Sequence, residues 1–270
     1  FDRVTFDHAV FVESDAPSTV LKVNLIFLVV SSPKHKLKKY VRIMMAPPPA
    51  LEASVGEKLV LQCQVSGAPS PTVAWLRNGE PITDYEEDAN EILSPHPSSI
   101  AHLIAKVVVI PVASGDVYTC VARAGHNEQS ASTTVFVIGE LDDLPTMEKL
   151  FRMPSAPVIT ASFEDVIQEM GSNLLLPCRV HSRSKAQVEW RDVDGNLVYG
   201  NSRFRVSCKL GHRWLCMLDH NLIVTLFQLL PSGDLLIMGL RWTEMGNFVC
   251  TVQNAYGTVS ATTFIYPTKP

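Results

Sequence analysis

Short apolar segments separated by turn residues run through the chain from about residue 40 onward, and no long stripe of period 3.6 appears among them. That pattern predicts strands rather than helices. Leu59, Leu61 and Cys63 alternate with Lys58, Val60 and Gln62, so one side of this strand faces a core. Gly67-Ala68-Pro69 breaks the run. Val73-Ala74-Trp75-Leu76 follows as a second strand and leads into Asn78-Gly79, a dipeptide suited to a two-residue hairpin. Leu103 to Ile110, Val117 to Ala122 and Ala131 to Val137 complete a first unit.

The same order then recurs. Trp75 lies twelve residues after Cys63, and Trp190 lies twelve after Cys178. Tyr118 precedes Cys120 by two positions, as Phe248 precedes Cys250. A cysteine, a tryptophan twelve residues on and an aromatic-x-Cys strand resemble the immunoglobulin sandwich, here in two tandem copies of the intermediate (I-set) type. The resemblance implies one disulfide per unit, Cys63 with Cys120 and Cys178 with Cys250, with Trp75, Tyr118, Trp190 and Phe248 as core. Phe248 lacks the hydroxyl that a tyrosine would bring to the corner before the second cysteine. The expected layout is all-β: residues 40–138 form the first domain, 139–156 a linker and 157–268 the second domain. A linker of that length allows relative motion unless the two units pack directly. Residues 1–39 are unplaced. Within them Leu25 to Val30, followed by Ser31 and Ser32, reads either as a signal-peptide apolar core or as a buried strand.

One segment does not fit the repeat. The first cysteine pair is 57 residues apart, an ordinary interval for this sandwich, whereas the second is 72 apart. The excess lies between Arg205 and Gly233. Val206-Ser207 can be encoded by a GT-initial splice donor, and Phe227-Gln228 by a pyrimidine-rich acceptor ending in CAG. A retained intron of 23 codons, residues 206–228, accounts for the excess: its removal leaves a cysteine interval of 49 and takes out Cys208 and Cys216 together. A surface loop closed by a Cys208–Cys216 disulfide is the main rival. Cys208, His212, Cys216 and His220 also recur every fourth residue like helical metal ligands, but the outer two would lie about 18 Å apart, too far for one tetrahedral ion. Leu222 to Leu230 is much too short to cross a bilayer, which takes about 20 apolar residues.

Composition narrows the function classes. The 270 residues are 46% hydrophobic, and 23 Lys and Arg stand against 27 Asp and Glu, a net charge of −4 that disfavours a nucleic-acid partner. Six cysteines without a C-x-x-C pair favour structural disulfides and an oxidising setting over zinc or redox motifs. None of the common hydrolase, metalloprotease, P-loop or dinucleotide motifs is present, so no enzyme activity, cofactor or metal is expected. His181 reads as a solvated edge residue, and Glu86-Glu87-Asp88 and Asp142-Asp143 as solvated loops. Trp242 is unusual for its place before a corner, either a binding anchor or a lid over the end of its own core.

With the insert set aside, the second unit is similar to the neural/ectodermal development factor family, arthropod secreted proteins also called imaginal morphogenesis protein late. The residues that carry this are Met170-Gly171-Ser172-Asn173, Leu176-Pro177-Cys178-Arg179-Val180-His181, Gly233 to Ile237, Trp242 to Asn247 and Thr263 to Pro267. Tyr118 to Val121, Arg123, Gly125 and Ala131 to Thr133 agree in the first unit. The resemblance implies a secreted, extracellular binder that sequesters insulin-like peptides and dampens growth signalling, with no membrane span. It names no hormone-contacting residue, and Trp242 stands as the one candidate. The alternative is a fragment of a cell-adhesion or receptor ectodomain working through Ig–Ig contacts in neural cell contact. A third reading, an intracellular muscle-type domain, would keep the thiols reduced.

Overall fold

The computed structural model describes residues 38–82, 94–111, 113–139, 153–198 and 226–270. The signal-like stretch, the acidic runs at 86–88 and 142–143 and residues 206–225 of the insert therefore lie outside the described residues. The first eight strands are β1 (Tyr40–Met45), β2 (Ala50–Ser54), β3 (Leu59–Ala68), β4 (Thr72–Arg77), β5 (Glu80–Pro81), β6 (Ile100–Val109), β7 (Asp116–Ala124) and β8 (Asn127–Ile138). The next nine are β9 (Val158–Glu169), β10 (Leu174–Leu176), β11 (Cys178–His181), β12 (Gln187–Arg191), β13 (Leu197–Val198), β14 (Leu226–Leu229), β15 (Leu235–Met238), β16 (Gly246–Asn254) and β17 (Gly257–Thr268).

In the first sandwich, β1-β3-β6 faces the sheet β2-β8-β7-β4-β5 over a core of Leu61, Val65, Val107, Tyr118 and Val135. Asn78 and Gly79 turn β4 into β5 at φ of 52° and 88°. A two-residue turn with positive φ at both positions is one that asparagine and glycine tolerate. Next to it, Asp116 is buried and accepts from Arg77 Nη2 at 2.6 Å and from Asn78 Nδ2 at 2.8 Å. Burial pushes the Asp116 carboxyl up, but the Asn78 amide and the Arg77 guanidinium together outweigh it and hold the group below its usual value. A carboxyl depressed on folding stabilises the fold above its unfolded value, about 3.9, and loses that contribution as pH falls through the folded value. Asp116→Asn is therefore expected to flatten part of the fall in Tm between pH 4 and pH 2, read by thermal unfolding across that range.

In the second sandwich, the sheet β10-β15-β14 packs Leu174, Leu176, Phe227, Leu235 and Ile237 against Trp190, Phe248, Val252 and Ile265 of β9-β17-β16-β12-β13. Pro177 separates β10, which pairs with β15, from β11, which pairs with β9. Proline has no N–H for the ladder, so the chain changes sheets there.

The two sandwiches pack directly. β6, from the first, pairs antiparallel with β9, from the second, from Ile100↔Ile167 to Ala105↔Ala161. The result is one sheet in the order β1-β3-β6-β9-β17-β16-β12-β13, with β11 also on β9. One face of β6 feeds both cores in turn: Val107 and Val109 pack in the first, Ala101 and Leu103 against Ile159, Phe163 and Val166 in the second. Side-chain bonds cross the same junction, from Lys58 Nζ to Ser155 Oγ at 3.3 Å and from Ser98 Oγ to Glu169 Oε2 at 3.2 Å. The freedom that a linker of this length would otherwise give is removed by the shared ladder.

Candidate functional site

The cysteines and core aromatics singled out by spacing lie inside the sandwiches. Cys63 is bonded to Cys120 and Cys178 to Cys250, with Cα atoms 6.6 and 6.5 Å apart. Trp75, Tyr118, Trp190 and Phe248 are buried. Burial pushes the Tyr118 phenol above its usual pKa, with Asp116 adding and Arg77 opposing. Trp190 Nε1 donates to the Gly233 carbonyl at 2.9 Å, and Phe248 meets Phe227 with ring centroids 6.0 Å apart. His181 ends β11 opposite Val158. Among the described residues no three His, Cys, Asp or Glu side chains converge as a metal site.

Trp242 is different. It opens a short 3-10 turn, Trp242–Glu244, that Glu244 clamps: Glu244 Oε2 accepts the Arg241 N–H at 2.8 Å and Oε1 accepts from Thr243 Oγ1 at 2.7 Å. The indole is 53% exposed and stands edge-on to Tyr266, with ring centroids 5.9 Å apart. Tyr266 in turn sits opposite Ile167, and Ile167 opposite Ile100. Residues in register on paired strands share a face, so Ile100, Ile167 and Tyr266 form a row across the domain junction on the outer surface of the shared sheet. The neighbouring row carries His102, Asp165 and Phe264. His102 Nδ1 lies 2.8 and 2.9 Å from the two Asp165 carboxylate oxygens, and Phe264 is exposed.

Four of these apolar residues, Ile100, Ile167, Phe264 and Tyr266, escape a reading of spacing. The available signal is in β17, where Phe264 and Tyr266 are aromatic on the face opposite buried Thr263 and Ile265. A strand apolar on both faces has something to cover on each. The assembled patch is an apolar, aromatic-bearing surface with the His102–Asp165 hydrogen bond inside it. It suits a protein or peptide partner, since exposed contiguous apolar area of this kind marks interaction sites and aromatic anchors dominate their energetics.

Residues 43–137 match the immunoglobulin I-set domain model. The neural/ectodermal development factor IMP-L2 of Drosophila melanogaster is 28% identical over 230 residues, 84% of this chain and 77% of that protein. The Zwei Ig domain protein zig-3 of Caenorhabditis elegans is 30% identical over 223 residues, 80% of this chain and 76% of the relative. The crystal structure of IMP-L2 aligns with a TM-score of 0.62 at 26% identity, covering 85% of this chain and 95% of that one. The chain therefore belongs to the family of two-immunoglobulin-domain proteins that holds IMP-L2 and the Zwei Ig domain proteins.

Proposed function

We propose that this protein is a secreted binder that sequesters insulin-like peptides and so antagonises growth signalling. The observation that supports it most is the apolar row Ile100, Ile167 and Tyr266, extended by Phe264 and Trp242, on a sheet that continues through both domains. The second domain supplies Ile167, Phe264, Tyr266 and Trp242 and the first supplies Ile100, and a specific complex needs roughly 800 Å² from each partner. The family resemblance supplies the class of ligand. Two disulfides fit an oxidising compartment, and no described helix is long and apolar enough to cross a membrane.

The mechanism is stoichiometric. A peptide held on the sheet is withheld from its receptor, no bond is broken, and free hormone falls by mass action as the binder rises above the dissociation constant. Titration of the purified protein with an insulin-like peptide, followed by calorimetry, tests this. The expected result is a one-to-one complex that Trp242→Ala and Tyr266→Ala each weaken by about tenfold or more, the size of a central aromatic contact. No heat of binding at micromolar peptide would sink the hormone reading in favour of cell adhesion.

A further inference from the structure

The last strand residues before Gly233 have a counterpart 23 positions upstream. In β14, Phe227 is 8% exposed and packs on Phe248, Gln228 beside it faces solvent, and Leu229 pairs with Leu235. Phe204 and Arg205 stand before Val206 as Phe227 and Gln228 stand before Leu229. Removing residues 206–228 therefore puts Phe204 two positions ahead of Leu229, the place that Phe227 holds, and Arg205 in the solvent-facing place of Gln228. We infer that a product lacking residues 206–228 rebuilds β14 in the same register, with Phe204 filling the Phe227 slot against Phe248, so that the longer and shorter chains share one second-domain core.

Three further observations support the exchange. The connection from β13 to β14 runs through residues 199–225 in the long chain. In the short one it shrinks to Tyr199-Gly200-Asn201-Ser202, an ordinary length for compact domains. The five Cα steps from Val198 to Arg203 reach up to about 17 Å, enough to pass between sheets stacked about 10 Å apart. β14 is also the edge of its sheet, where Arg203 and Arg205 would discourage edge-to-edge pairing. Finally, both described disulfides survive the deletion, and the patch around Tyr266 lies on the other sheet.

The test compares the full chain with the chain lacking residues 206–228, using disulfide mapping and thermal unfolding. In the full chain Phe227→Ala is expected to lower Tm on the order of 10 °C, the size of a large core aromatic deletion. In the short chain Phe204→Ala takes over the loss. A short chain without the Cys178–Cys250 bond, or one indifferent to Phe204→Ala, overturns the inference. A second variant tests the register in the full chain: Gln228→Arg sets in the solvent-facing place the residue type that Arg205 would bring, and Tm should hold. A fall as large as that of Phe227→Ala would be equally fatal to it.

Discussion

Asp234→Ala is expected to destabilise the second domain by about 3–5 kcal/mol, the cost of removing one member of a buried ion pair. Asp234 is fully buried. Its carboxylate accepts the Cys178 N–H at 3.0 Å and the Arg179 Nε–H at 2.8 and 2.9 Å. Alanine would leave a mostly buried guanidinium and a backbone N–H without that acceptor, at the strand that carries the disulfide. The preceding residue allows no adjustment: a Cβ on Gly233 would sit 2.7 Å from the Cys178 carbonyl oxygen, and its φ is +91°. Denaturant unfolding at neutral pH checks the magnitude, and a loss below about 1 kcal/mol, the range of an exposed pair, would contradict the role given to Asp234.

Ala101→Glu should have a comparable effect by a different route. Ala101 has no solvent exposure and packs, from the first sandwich, into the core of the second. A carboxylate forced into that site is an unpaired buried charge, costing several kcal/mol, and the relief available to it is separation of β6 from β9. The unmodified protein is expected to unfold in one calorimetric transition, because its two cores share a strand. The variant should show two, and Ile100 and Ile167 should part company, which breaks the candidate surface. One undivided transition in Ala101→Glu would mean that the junction contributes little to cooperativity.

Much of the architecture is legible from residue types because few alternatives satisfy them. A disulfide with Cα atoms near 6.5 Å, an indole packed on it and an asparagine-glycine turn each demand one local geometry. The β6–β9 pairing is not legible in this way. Ala101, Leu103, Val107 and Val109 alternate as any strand with one buried face would, and nothing in that alternation says that the core changes halfway along. The linker between the units suggested mobility for the same reason, since length is visible in a sequence and a shared ladder is not. The candidate surface was half visible. Trp242 stands out by its residue type at a corner, whereas Tyr266, Ile167 and Ile100 become neighbours only through a register that joins segments more than sixty residues apart. Phe227 and Gln228, at the end of the suspected insert, lie in a strand of this chain, with Phe227 in the core.

The strand that joins the two sandwiches also sets a clock on biosynthesis. β6 ends at Val109, but the partner that covers its free edge is complete only at Glu169. At ribosomal speeds of about 5–20 residues per second, β6 waits roughly 3–12 s with a naked edge of amides and carbonyls. Chaperone demand during synthesis should therefore concentrate in that interval, before β9 has left the ribosome.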